Sequence, residues 1–286
     1  MSFITLTTDF GTKDHFVGAV KGAIYSELAD AKIVDITHKI TPFNITETAY
    51  ILKNAYKSFP EGTIHIVGVD SELSENNKHI AIALDNHYFV CPDNGIISMI
   101  ASEIQPTKIV EINIHDRVES SFPVLDVFVQ VACFIARGGN LTVIGKEIRN
   151  YKKLTEIQPK VNQSQTQIIG GVLYVDNYGN VISNISKKMF TDIGKGRSFK
   201  VSASSYTFDK IYNKYNETVE HNTKNAKQYD GNKLILFNSA GLLEIAIYKS
   251  NLNSVGGAST LLGLAYRDAV IIDFFNENKS EYTTLS

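Results

Sequence analysis

The chain has 286 residues, 43% of them hydrophobic and 20% charged, with 28 Lys and Arg against 30 Asp and Glu for a formal charge of −2. At roughly 100 to 200 residues per domain, this length suggests two domains, and the near-neutral balance argues against a nucleic-acid partner, which would be met by a basic excess or stripe. Cys91 and Cys133 stand in no metal-ligand spacing, so neither a disulfide framework nor a Cys-rich zinc site is supported; the start lacks a signal-peptide pattern and no run of about 18 apolar residues could cross a bilayer, so a cytoplasmic protein without membrane contact is expected.

The first half alternates two periods, as a parallel α/β domain should. Phe3 to Thr7 is a β-rich run, Asp9 to Asp14 is turn chemistry, and Phe16, Val17, Val20, Ile24 and Leu28 recur at helical spacing. Ile33 to Ile36 reads as a strand, Asn44 or Thr46 caps a helix running to about Lys57, and Thr63 to Val69 is a strand closing in Asp70. Ile80 to Leu84 and Tyr88 to Cys91 flank Asn86-His87 as a hairpin, an antiparallel element beside the parallel strands. A helix follows from Gly95 to Glu103, then a strand from Lys108 to Ile114, then a nearly all-apolar helix from Val127 to Ala136, stopped by Gly138-Gly139.

From Ile148 to Gln167 the chain is polar and contains Pro159, which marks a linker. The division expected is an α/β domain over 1–157 with a central, mostly parallel sheet, a linker over 158–167, and a smaller antiparallel β-barrel domain over 168–286. In the second domain Ile168 to Val175 and Val181 to Ile185 flank Asp176-Asn177-Tyr178-Gly179-Asn180. Short strands follow at Phe199 to Ser202, Leu234 to Phe237, Leu243 to Ile247 and Ala269 to Phe274. Lys210 to Gly231, rich in Asn, Lys and Tyr, reads as an exposed excursion.

Ligands of open parallel sheets bind beyond the carboxyl ends of the strands. Three expected strands end in Asp9, His38 and Asp70, which would converge on one crevice if the strands neighbour one another. Asp9 and Asp70 read equally well as turn or helix caps, and Asp35 as structural. No G-x-G-x-x-G, P-loop or G-x-S-x-G string occurs. The seven histidines, His15, His38, His65, His79, His87, His115 and His221, show no zinc spacing and read as structural.

Leu6-Thr7-Thr8-Asp9-Phe10-Gly11, Asp14 to Gly22, Asp35-Ile36-Thr37-His38, Phe59 to Thr63, Pro92-Asp93-Asn94-Gly95 and Asp176 to Asn180 together resemble, in order along nearly the whole chain, the S-adenosylmethionine hydroxide adenosyltransferase family, relatives of the fluorinase and chlorinase. The resemblance implies an N-terminal α/β domain, a C-terminal β-barrel, and a homotrimer with S-adenosylmethionine bound between neighbouring subunits. It implies S-adenosylmethionine as substrate, with no cofactor and no metal, hydrolysed to adenosine and methionine by water attack at the ribose 5′ carbon. By motif match, Asp9 would grip the ribose hydroxyls and Phe43 would pack on the sugar. Asp14 and Asp176 would hold the methionine ammonium, and Tyr178 would stack on adenine. Asn180 and Ser239 would make polar contacts, and Asn94 would sit in the Pro-Asp-Asn-Gly turn.

Hydrolases of this family hold the attacking water with an Asp, an Arg and a His. Asp70 matches the Asp, but Asn77 stands where the Arg should be, with Lys78 the nearest cation. Phe122-Pro123-Val124-Leu125-Asp126 replaces a Phe-His-Gly-Arg-Asp string. Val124 also replaces the small hydroxyl donor of the halogenases, which argues against halide transfer. Two readings stay open at this level: a hydrolase using Asp70, with Lys78 or His79 beside it, or a protein that binds S-adenosylmethionine or adenosine without turnover.

Overall fold

A computed structural model describes residues 2–102, 104–114, 120–154, 157–219 and 226–275; His115, His221 and the expected helix end at Glu103 lie outside these. The chain divides into two compact units, Met1–Glu156 and Ile157–Ser286. Among the described residues no helix is long and apolar enough to cross a membrane.

In the first unit, strands β1 (Phe3–Thr8), β2 (Lys32–Thr37), β3 (Ile64–Gly68), β4 (His79–Leu84), β5 (His87–Pro92), β6 (Lys108–Ile112) and β7 (Gly145–Glu147) form one sheet in the order β2-β1-β3-β5-β4-β6-β7. Helices α1 (Phe16–Glu27) and α2 (Ile45–Ala55) are the crossovers that parallel neighbours require. Asn44 caps α2 by accepting from the Glu47 amide, as its residue type favours. The sheet is mixed rather than mostly parallel. Pairs β2–β1, β1–β3 and β3–β5 are parallel, whereas β5–β4, β4–β6 and β6–β7 are antiparallel. The cause is the hairpin: its turn is Asp85-Asn86, one residue earlier than expected, and both residues have positive φ (51° and 59°), the conformation a two-residue turn needs.

Strand alternation sorts the apolar residues onto two faces. Ile4, Leu6, Ile64, Ile66, Ala81 and Val90 pack with α1 and with α4 (Val129–Ala136). Val67, Ile80, Ile82, Phe89 and Cys91 pack with α2 and with the short α3 (Ile96–Ile100). A π-helical turn, Val124–Phe128, leads into α4.

The second unit is a nine-stranded, barrel-like sheet. Its strands are β8 (Lys160–Val161), β9 (Gln167–Val175), β10 (Val181–Ser186), β11 (Ser198–Ala203), β12 (Tyr206–Phe208), β13 (Ile211–Tyr212), β14 (Lys233–Phe237), β15 (Leu242–Ile247) and β16 (Ala269–Phe275), in the order β12-β11-β16-β9-β10-β15-β14-β13 with β8 on β9. β8 lies within the stretch read as linker. β13 lies within the stretch read as an exposed excursion, and its pairing with β14 is parallel, so this sheet is not purely antiparallel. Residues 209 and 210 join β12 to β13, so the two ends of the order are neighbours in the chain and the barrel is nearly closed. Helix α5 (Lys187–Gly194), capped by Ser186, and the short α6 (Ala258–Leu261) complete the unit.

One polar network is enclosed in the first unit. Thr5 Oγ1 lies 2.7 Å from His65 Nδ1, and His65 Nε2 lies 3.1 Å from His87 Nδ1. Tyr56 meets both imidazoles edge-on and donates to Asp85 at 3.0 Å. Burial, helped by His87, pushes His65 down to about 3; the unfolded chain protonates near 6.5. The neutral imidazole therefore contributes stability that is fully present above about pH 6.5 and is lost as pH falls from there towards 3. Unfolding stability, read from urea titrations at stepped pH, should fall by about 1.4 kcal/mol per pH unit per proton in that window, and His65→Gln should flatten the slope by about one proton.

Candidate functional site

β1 lies between β2 and β3 in parallel register, with Thr7 opposite Thr37 and Thr8 opposite Gly68. The segments after all three strands therefore leave the sheet at one edge. Asp9 is partly buried there, and its Oδ2 accepts from the Phe43 amide at 3.0 Å. Phe43 has φ of 64° and is 71% exposed, a costly conformation for a bulky residue that leaves its ring at the surface. Asp14 is exposed in the loop before α1. His38 does not open onto the edge. It is buried, with Nδ1 2.8 Å from Thr8 Oγ1 and Nε2 3.1 Å from Asp35 Oδ1. Asp35 also takes the Lys21 ammonium at 2.6 Å; partial burial pushes its carboxyl up, but Lys21 and His38 together hold it below its ordinary value. Both therefore support the strand ends.

Asp70, partly buried, also has positive φ, 49°, a region that Asp tolerates better than most residues. The loop after it is held from behind. Asn77 Nδ2 donates to the carbonyls of Asp70 (2.8 Å) and Glu72 (3.0 Å), and His79 Nε2 lies 2.8 Å from the Ser71 carbonyl. Lys78 is exposed, and its carbonyl accepts from the Asp93 amide at 2.6 Å. Asn94 is 1% exposed and both ends of its amide are used: Nδ2 donates to the Val69 carbonyl and Oδ1 accepts from the Ile96 amide. This placement makes Asn94 a buried brace between the ends of β5 and β3.

The segment 122–126 is folded into the core. Pro123 sits just before the π-helical turn, Pro123 and Val124 are buried, and Leu125 packs against the same cluster. A Cβ at Gly68 would stand 2.8 Å from Val124 Cγ2 and 3.1 Å from the Phe10 ring, so β3 ends against an apolar wall. Asp126 accepts from Ser120 Oγ at 2.6 Å.

In the second unit the Asp176–Asn180 turn is built by its own carboxylate. Asp176 Oδ1 accepts from the amides of Tyr178 and Asn180, and Oδ2 from Asn180 Nδ2. Three of about four acceptor positions are thereby occupied. Asp176, Tyr178 and Asn180 line a cavity of about 430 Å³ with Tyr215, Tyr248 and Lys249 among its other walls. Tyr215 was missed by the sequence reading because its segment lacks strand or helix period. Its hydroxyl donates to Glu244 Oε1 at 2.5 Å, and Glu244 is only 3% exposed. Burial pushes the Glu244 carboxyl up, against the hydrogen bonds from Tyr215 and Asn238. Burial and the carboxylate together raise the Tyr215 phenol. Ser239 is exposed in the turn before β15, whereas the cavity takes Ile247 to Ser250 from the far end of that strand and the segment after it, so Ser239 is not among its lining residues. Among the described residues no cluster of His, Cys, Asp and Glu could hold a metal ion.

Residues 4–145 match the family model for the SAM hydroxide adenosyltransferase N-terminal domain, and residues 170–271 match that for its C-terminal domain. The chain is 32% identical over 284 residues to an (R)-S-adenosyl-L-methionine hydrolase of Methanocaldococcus jannaschii, covering 95% of this chain and 96% of the relative. It is 21% identical over 222 residues to a fluorinase of Actinopolyspora mzabensis, covering 68% and 74%. A crystal structure of an uncharacterized conserved protein from Thermotoga maritima superposes with a TM-score of 0.79 at 29% identity, covering 96% of this chain and 100% of that one.

Tyr215→Phe removes the phenol donor from a buried carboxyl. The expected cost is about 1–3 kcal/mol, read as a lowered urea midpoint at unchanged slope; a midpoint equal to wild type would show that another group satisfies Glu244.

Proposed function

This chain belongs to the SAM hydroxide adenosyltransferase family, and we propose that it is an enzyme that hydrolyses S-adenosylmethionine to adenosine and methionine. The water oxygen forms a bond to the ribose 5′ carbon as the carbon–sulfur bond breaks. The bonding pair stays on sulfur, which leaves as the neutral thioether of methionine, and one proton is released. Because the leaving group departs uncharged, the protein has little acid chemistry to supply. Its task is to hold substrate and water in line and to limit bulk solvent.

The observation that carries this reading is the Asp9–Phe43 pair: a carboxylate at a strand end that accepts from the Phe43 amide, with Phe43 exposed in a left-handed backbone. An ionised carboxylate is acceptor-only, which suits two ribose hydroxyls, and the ring offers the sugar an apolar face. Asp70, beyond the next strand, is assigned to orient the water and take its proton, with Lys78 on the same loop supplying positive charge. Tyr178 and Asn180, in the second unit's cavity, are assigned to the adenine ring. Asp14 and Asp176 are assigned to the methionine ammonium, with Asp176 acting mainly through the turn it builds. Asn94 and Ser239 keep only supporting roles. The proposed assembly is a homotrimer with sites between neighbouring subunits, in a cytoplasmic setting and without a cofactor. The apolar wall of Val124 against Gly68 lacks the hydroxyl donor that a halide would need, so water is the nucleophile.

The direct test incubates the purified protein with S-adenosylmethionine, with and without chloride, and separates the products by chromatography. Adenosine and methionine in equal amounts are expected, with no chlorinated nucleoside; tight binding without products would overturn the hydrolase reading. Asp9→Ala should weaken S-adenosylmethionine binding about 10- to 100-fold, as loss of hydrogen bonds to a charged group implies, and Asp9→Asn should recover only part of it; calorimetry showing unchanged affinity would remove Asp9 from the site. Asp70→Asn should lower kcat by about 10²- to 10⁴-fold while leaving affinity intact, measured by initial rates beside calorimetry.

A further inference from the structure

We propose that Asn77 is the positioning residue of Asp70, acting as a neutral clamp that holds the loop so that the Asp70 carboxylate keeps a single orientation. The inference rests on the hydrolase reading for the role of Asp70 and on the structure for the clamp. Asp70 stands in a left-handed backbone conformation, φ 49°, which persists only where its surroundings over-determine it. The three carbonyls that begin at this residue each have a side-chain partner near the start of β4: Asn77 takes those of Asp70 and Glu72, and His79 takes that of Ser71. Backbone bonds close the same loop, with Ser74 and Asn77 exchanging amide and carbonyl at 3.1 and 3.3 Å. On its inner side, the Val69 carbonyl is fixed by Asn94 Nδ2 at 3.0 Å.

Asn77 is matched to this task by chemistry. Its amide nitrogen carries two hydrogens, one for each carbonyl. Its Oδ1 is buried with no hydrogen-bond partner, a cost retained only where the rest of the side chain contributes something the loop needs. A cation would repel no carbonyl either, but Asn77 presents no charge and no long stem. It therefore acts on the backbone of Asp70 and leaves the water to the carboxylate. Fixing the acceptor matters because misplacing a reacting group by about 1 Å can cost on the order of 10²-fold in rate.

Two variants of the full chain test the clamp. Asn77→Asp keeps the shape but removes both donors and places a carboxylate against carbonyl oxygens; Asn77→Ala removes the donors without adding charge. Both should lower kcat by about 10- to 100-fold with KM and S-adenosylmethionine affinity within about twofold, and the melting temperature should stay near wild type in Asn77→Ala. Unchanged kcat in Asn77→Ala, or parallel losses of kcat, affinity and melting temperature, would overturn the proposal. Hydrogen exchange of the peptide spanning residues 70–78 separates the clamp from the hydrolase reading: at least about tenfold faster exchange in Asn77→Ala, with the β3 amides unchanged, is expected from loss of local closure. Wild-type exchange rates in that variant would overturn the clamp whether or not the protein turns over S-adenosylmethionine.

Discussion

Everything proposed for the first unit depends on the parallel pairing of β1 between β2 and β3. Parallel strands point their carboxyl ends the same way, and the pairing of Thr8 with Gly68 and of Thr7 with Thr37 brings the segments after three strands to one edge. Asp9 and Asp70 are separated by about sixty residues in sequence, yet they leave adjacent strands at neighbouring positions. A one-residue slip would reverse which side chains of β1 face each layer of the core, so the buried Ile4 and Leu6 hold the register that presents Asp9.

At that edge, backbone conformation rather than side-chain reach does most of the positioning. Phe43 and Asp70 both occupy the left-handed region, which most residues avoid. Each is tied there by a polar group from elsewhere: the Phe43 amide by the Asp9 carboxylate, and the Asp70 carbonyl by the Asn77 amide. Pro123, Val124 and Leu125 pack into the first unit's core, with Val124 against the end of β3. The carboxylate assigned to the water thus stands on a loop whose carbonyls are held by Asn77 and His79, close to a hydrocarbon surface at the end of β3.

The second unit solves a related problem with a different device. Its turn of Asp176 to Asn180 is wound around its own carboxylate, so Tyr178 and Asn180 are set by a few local bonds. The opposite wall of the cavity depends on a long-range contact, in which Tyr215 is anchored by the buried Glu244. A buried carboxyl needs such a partner, and the phenol supplies it while leaving much of the ring available to the cavity.

Local chemistry was legible in the sequence. Strands β1 to β6, helices α1 to α4 and the Asn44 cap followed from periodicity and turn residues, whereas β7 was not read and the β4–β5 turn lies one residue earlier than expected; strand-end positions and motif matches named Asp9, Asp70, Asp176, Tyr178 and Asn180 as candidates. These features are encoded within a few neighbouring positions, where backbone preference and side-chain spacing act directly. The tertiary structure alone decided that β5 rather than β4 pairs with β3, that His38 and Asn94 turn inward as supports, that Ser239 lies away from the cavity, and that Tyr215 from a stretch without period forms one of its walls. Each of those outcomes rests on contacts between distant residues: Asn94 meets Val69 across 25 positions and Tyr215 meets Glu244 across 29. Burial and hydrogen-bond satisfaction, which choose among side-chain orientations, exist only once such partners have been brought together.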